Sequence, residues 1–278
     1  MIFLHIFLFL ATIFSTIFVG SVGFTNLKTG CQYSFALIAI LLTHEMGHYL
    51  VSRRYGIPSS LPFFIPLPMP PFGTFGAIIK MKGIIHNRKA LFDIGAAGPL
   101  SGFIVAIPFI VIGIKLSTII PVANVPYMEL GDSLLFKIME AILIGDVPQG
   151  YELMLHPFAY AGWVGLFVTS LNLLPVGQLD GGHIMYAVFG KKSKFAYYAV
   201  ILGMAGLALF ANIGWVTLVV LMIIFGRRHP KPCDDITELD GARKKIAVVM
   251  IIVFILSFIP APFPQMTIAN LFKGDLFP

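Results

Sequence analysis

The run His44-Glu45-Met46-Gly47-His48 carries the residue types and spacing in this chain that most directly suggest chemistry. On an α-helix, positions four apart lie one turn above each other on nearly the same face. Two imidazoles so placed can share one Zn2+ at about 2.0–2.1 Å, with the glutamate between them close enough to act on a water. A catalytic zinc of this kind takes a third protein ligand. Two aspartates compete for that role: Asp180, in the segment from Asn172 to His183 (NLLPVGQLDGGH), and Asp93, near the start of a later apolar run. Asp180 is the stronger candidate because it follows an apolar span, at the depth assigned to His44 and His48. Its neighbours Gly177, Gly181 and Gly182 allow tight turns and close backbone approach. In a purely structural role, Asp180 would cap a helix over His183–Gly190, and Asp93 would cap a helix or pair with Arg88.

The elements that must position these groups are membrane helices. Hydrophobic residues make up 58% of the chain and charged residues 12%, and the mean hydropathy is +0.90. A soluble domain carries about twice that charge fraction. Apolar stretches near the roughly 20 residues that cross a bilayer occur at Met1–Gly20, Tyr33–Ser52, Ala90–Ile114, Pro157–Pro175, Phe195–Phe225 and Ile246–Ile259. The first lacks a basic leader and reads as a retained span. The fifth is too long for one ordinary crossing, and Asn212-Ile213-Gly214 is placed to break it into a hairpin. The fold class expected is an all-α polytopic membrane protein with about six to seven transmembrane segments and a small β-hairpin at the membrane edge. The organisation expected is a single integral membrane domain over 1–278, a catalytic core at about 33–190, and no PDZ domain.

Charge distribution orients these spans. Basic clusters at Arg53–Arg54, Lys80–Lys89, Lys191–Lys194, Arg227–Lys231 and Arg243–Lys245 flank apolar runs, the pattern of cytoplasmic topology signals and not of nucleic-acid binding. With them inside, the acidic segment Lys115 to His156 lies outside, and the His44 end of its span faces the cytoplasm. The two cysteines, Cys31 and Cys233, provide neither a disulfide framework nor a thiolate metal site. Leu61–Pro71 holds five prolines and cannot be continuous helix. The following Phe72–Lys82, with glycines and β-prone residues, reads as a strand or hairpin, which survives at membrane depth only where protein shields it or water reaches it. Gly98-Pro99-Leu100-Ser101-Gly102 permits close helix approach.

HEMGH in one span, GTFGA after a proline-rich loop, and NLLPVGQLDGG at the end of a later span together resemble the site-2 proteases, intramembrane zinc metalloproteases. The resemblance covers roughly Leu37 to Gly190, and GRRHP at Gly226–Pro230 is similar to a later family element. It implies one Zn2+ held by His44, His48 and Asp180, Glu45 as catalytic acid/base, and Asn172 positioning substrate or stabilising the oxyanion. The partners implied are single-span membrane-protein substrates within the lipid bilayer, cut in or beside their transmembrane segments.

The residues give the same reading a mechanism. Glu45 takes a proton from the attacking water and delivers one to the leaving amine. A helical substrate hides its amides, so it must unwind, and an exposed edge over Phe72–Lys82 can pair with the extended peptide by β-addition. Gly73 and Gly76 carry no side chains to obstruct that edge. A transporter or metal-ion permease would use the same His/Asp cluster, but it leaves Glu45 without a task.

Overall fold

The computed structural model describes residues 2–122, 129–226 and 231–267. Of the basic clusters, Arg227–Pro230 lies outside the described residues, and so does most of GRRHP. The described residues are mostly helical, with two small two-stranded sheets among them. Among the described residues, four helical stretches are long and apolar enough to cross a membrane: Ile2–Gly20, Leu27–Arg54, Arg88–Leu116 and Asp180–Phe210. It divides into two compact units. One comprises Met1–Ile84, Ala97–Val122 and Ile138–Thr169, the other Ile85–Ala96, Ala123–Lys137 and Ser170–Pro278.

In the first unit, helices α1 (Ile2–Gly20) and α2 (Leu27–Arg54) form a hairpin. The turn between them carries Val22, Gly23 and Phe24 at positive φ. Asn26 caps α2 by accepting the Thr29 N–H, and Arg53 and Arg54 in its last turn complement the negative end of the helix dipole. The helices approach closely because Gly30 lies against the Ile17 carbonyl and Gly20 against the Tyr33 ring, where a Cβ has no room. The proline-rich segment forms no helix. It supplies β1 (Phe63–Pro66), which pairs antiparallel with β2 (Thr74–Ile78) through Phe63↔Ile78, Phe64↔Ala77 and Pro66↔Thr74. The hairpin expected around Phe72–Lys82 is therefore present, with its partner strand drawn from the proline stretch.

Helix α3 (Arg88–Leu116) runs on through Pro99 and Pro108, and the first unit contains its part from Ala97 onward. There it packs on α5 (Pro157–Asn172), with Gly113 against the Ala159 backbone and Gly162 against Ile110. In chain order β3 (Thr118–Pro121), α4 (Leu134–Leu143) and β4 (Tyr151–Met154) come between these two helices, with β3 and β4 paired antiparallel. This sheet has no local signature, because β3 is exposed throughout and β4 pairs two exposed ends with a half-buried middle, so neither four-residue strand shows an apolar alternation.

The second unit holds α6 (Asp180–Phe189), a 3-10 turn at Gly190–Lys192, α7 (Ser193–Phe210), α8 (Trp215–Phe225) and α9 (Gly241–Ser257). The long run at Phe195–Phe225 is two helices, not one. Asn212 organises the break, accepting the Gly214 N–H and donating to the Phe263 carbonyl. The Tyr197 hydroxyl, early in α7, donates to the Met222 carbonyl, late in α8. The chain therefore reverses at Asn212–Gly214, as a hairpin requires.

Candidate metal centre

Helix α2 brings His44, Glu45 and His48 together, and all three are buried. The two Nε2 atoms are 3.2 Å apart, and the ring planes meet at 68°. Two nitrogens held at about 2.0–2.1 Å on a tetrahedral zinc would stand roughly 3.3 Å from each other. The separation of the two nitrogens thus matches that of two ligands on one ion.

The glycine face of α3 leaves room for the rings. A Cβ on Gly98 would stand 2.0 Å from His48 Nε2, and one on Gly102 would stand 3.1 Å from His44 Cβ. Gly47 lets α2 approach from its side, since a Cβ there would meet the Ala97 carbonyl oxygen and Ser101 Oγ at 2.5 Å. Ser101 Oγ donates to the Thr43 carbonyl at 3.0 Å, tying α3 to α2 one residue before His44. Gly98 and Gly102 are four apart, as are His44 and His48, so the small-residue row on one helix faces the imidazole row on the other. By its sequence, Gly98–Gly102 is a close-packing segment and a lesser candidate for lining the substrate path, not a seat for the imidazoles. The signal available was the matched spacing of the two rows.

Asn172 and Asp180 belong to the second unit. Asn172 ends α5 and Asp180 opens α6. The intervening segment turns tightly through Leu174 N–H to the Leu171 carbonyl and Leu179 N–H to the Val176 carbonyl. Gly177 sits at φ +51° in that turn. The fold-back is so close that a Cβ on Gly181 would lie 1.9 Å from the Leu173 carbonyl oxygen, and one on Gly182 2.4 Å from that of Gly177. This is why two glycines follow Asp180: they bring the start of α6 against the residue next to Asn172. The helix begins at Asp180 and not at His183, and Leu179 is its N-cap residue. Asp180 is therefore not an N-cap. Its half-buried carboxylate stands in the first turn, where the helix dipole favours negative charge. His183 is buried one turn later, and Gly95 of α3 makes room for its Cβ.

Asp93 does not pair with Arg88. It receives a bidentate contact from Arg243 of α9, with Nε at 2.8 Å and Nη2 at 2.6 Å. Arg243 also contacts Asp240, the N-cap of α9. Arg88 is buried and donates from Nε and Nη2 to the carbonyls of Ala187 and Val188, satisfying the C-terminal end of α6. Nothing in sequence separates Arg88 from Arg243 as the partner of Asp93, because the true pair is separated by 150 positions.

The model of peptidase family M50 matches residues 32–213, which include the histidine pair, Asn172 and Asp180. The chain belongs to peptidase family M50. This M50 chain is 33% identical over 233 residues to the probable zinc metalloprotease EGY1, chloroplastic, of Arabidopsis thaliana, covering 82% of this chain and 42% of that protein. It is 32% identical over 240 residues to the rice (Oryza sativa subsp. japonica) EGY1, covering 84% of this chain and 41% of that protein. It therefore spans less than half the length of these relatives. A solved site-2 protease from Methanocaldococcus jannaschii aligns over 89% of this chain and 86% of that one, at 18% identity and a TM-score of 0.36.

Proposed function

We propose that this chain is an intramembrane zinc metalloprotease that hydrolyses peptide bonds within or near the transmembrane segments of single-span membrane-protein substrates. The observation that carries the reading is the buried His44/His48 pair, with Nε2 atoms at 3.2 Å and a glycine face shaped around the rings. Among the described residues, His44, His48 and Asp180 make a donor set suited to one ion, two imidazoles and a carboxylate. They would hold one Zn2+. When bound, that ion supplies Lewis acidity, lowering the pKa of a water and polarising the scissile carbonyl.

Glu45, buried in α2 next to His44, takes the proton of the attacking water and returns one to the leaving amine. Asn172, at the end of α5, donates its side-chain N–H to the developing oxyanion. The substrate must reach the site extended, and β2 offers it an edge, since β1 occupies only one side of that strand. Of the two glycines expected to keep that edge clear, Gly76 has open space beside it. Gly73 does not: a Cβ there would meet the Thr16 Cα of α1 at 2.9 Å. Gly73 therefore serves packing against α1, and the accessible part of the strand lies beyond it. The wider setting proposed is a multi-pass protein of six to seven spans, in which α5, α8 and α9 supplement the four long stretches, the last of which contains α7. Its active site faces the cytoplasmic end, beside Arg53–Arg54.

Glu45→Gln in purified protein, assayed for zinc content and for cleavage of a model single-span substrate, tests this reading. Proteolysis should fall by at least about a hundredfold while zinc stays bound, because Glu45 acts on the water and does not ligate the metal. A wild type that moves metal across vesicles and cleaves nothing would make the site that of a permease.

A further inference from the structure

Three consecutive backbone carbonyls enter β2 under side-chain control. Tyr160 Oη of α5 donates to the Pro71 carbonyl at 2.8 Å. Tyr33 Oη of α2 donates to that of Phe72 at 2.8 Å. Ser15 Oγ of α1 donates to that of Gly73 at 2.7 Å. All these residues belong to the first unit. Tyr33 is 1% exposed and Ser15 2%. The two tyrosine rings stack at 5.2 Å and 22°. The Phe72 ring lies 5.7 Å from that of Phe167, which stacks in turn on Trp163, one turn from Tyr160 on α5. Phe72 is thus fixed at its carbonyl by one helix and at its ring by another.

Backbone that is neither helix nor closed sheet needs partners at membrane depth, and any donor would meet that need. This arrangement does more, because each hydroxyl comes from a different helix and the three grip successive residues at the mouth of the strand. One of those helices also carries the metal-site histidines. Tyr33 precedes His44 by 11 residues on the continuous α2, roughly three turns and 16 Å along the axis, so the two side chains leave the same face of the helix. The point where β2 begins is therefore referenced to the helix that holds His44 and His48.

We propose that Ser15, Tyr33 and Tyr160 are positioning residues that hold the Pro71–Gly73 carbonyls and so fix where β2 presents its edge to a substrate peptide. This rests on the reading of β2 as the substrate-pairing strand. Thr74 extends the same control into the strand, with its hydroxyl donating to the Ile65 carbonyl and accepting the Gly76 N–H.

The test is the double variant Tyr33→Phe/Tyr160→Phe, which keeps both rings and removes both hydroxyls, with Ser15→Ala added as a third step. Amide hydrogen exchange over 73–78 should accelerate by about tenfold for lost bonds of this kind, while exchange over 40–50 stays as in the wild type. KM for a single-span substrate should rise by about tenfold, with kcat and zinc content within about twofold of wild type. Unchanged exchange at 73–78 would show that the hydroxyls do not hold the strand. Faster exchange with an unchanged KM would show that the strand does not position substrate, and a parallel loss of kcat and zinc would reduce the clamp to general packing. A wild type that cleaves no single-span substrate would instead sink the protease reading and the clamp's substrate role with it, and the exchange experiment separates that failure from failure of the clamp itself.

Discussion

Replacing Gly98 by alanine should empty the metal centre while leaving the fold standing. The added Cβ would stand 2.0 Å from His48 Nε2 and 2.4 Å from both Cδ2 and Cε1, whereas ordinary contact begins at 3.4 Å. The imidazole must therefore move by about 1.4 Å, and metal sites tolerate errors of about 0.2 Å in ligand position. Two relaxations are open. The ring can swing off its rotamer for about 0.5–1.5 kcal/mol, or α3 can back away from α2. The second breaks the Ser101–Thr43 bond and the close contact of Gly47 with Ala97, so the ring should move first. Alanine also improves helix propensity over glycine by about 1 kcal/mol, which offsets part of the cost. Loss of an oriented ligand exceeds the 10–100-fold effect of disturbing an outer-shell partner, so zinc affinity should drop by at least about 100-fold, near 2.7 kcal/mol. Gly102→Ala supplies the graded control, because its Cβ would meet His44 Cβ at 3.1 Å and Nδ1 at 3.2 Å. There a yield of a few tenths of an ångström suffices, and the loss should stay within about tenfold. Zinc titration against a competing chelator in detergent, with circular dichroism to follow folding, measures both. A folded Gly98→Ala protein that binds zinc as tightly as the wild type would refute the placement of the His48 ring over this glycine.

Asp93→Ala should keep its zinc, because Asp93 is held by Arg243; what it should lose, like Arg243→Ala, is roughly 1–3 kcal/mol from a bidentate pair whose members are each 24% exposed. Metal analysis and thermal melting check the two halves, and zinc loss in Asp93→Ala would restore it as a ligand. His156, just before α5, should make stability depend on pH. Burial first, and the Lys28 charge second, push its pKa below the usual 6.5, and its Nδ1 accepts the Phe158 N–H only while unprotonated. The unfolded chain then binds the proton more tightly, so this contribution is complete above about pH 6.5 and fades as pH falls towards the lowered folded value. Melting curves between pH 7.5 and 5 should show a shallower decline in His156→Ala, and parallel slopes would remove the imidazole as the cause.

What the sequence by itself determined was whatever local rules control. The i, i+4 histidines share a face on any helix, the prolines of Leu61–Pro71 forbid one, and Asn212–Gly214 interrupts a run too long to continue. Each of these is decided within a few residues by backbone geometry, and each stands in the fold. The glycines after Asp180 were also legible as a site of close approach, although not what approaches: the Leu173 carbonyl, which starts α6 at Asp180. Tertiary structure alone decided the rest. It gave Asp93 to Arg243 and sent Arg88 to the end of α6. It laid Gly98 and Gly102 beneath the imidazoles, turned Gly73 towards α1, and gathered Ser15, Tyr33 and Tyr160 on three successive carbonyls. None of these has a local signature. An arginine, a glycine or a tyrosine in an apolar run has the same propensities whichever partner it meets. Which partner that is depends on helix packing between segments far apart in the chain, where close backbone approach and the cost of an unpaired polar group select a single arrangement.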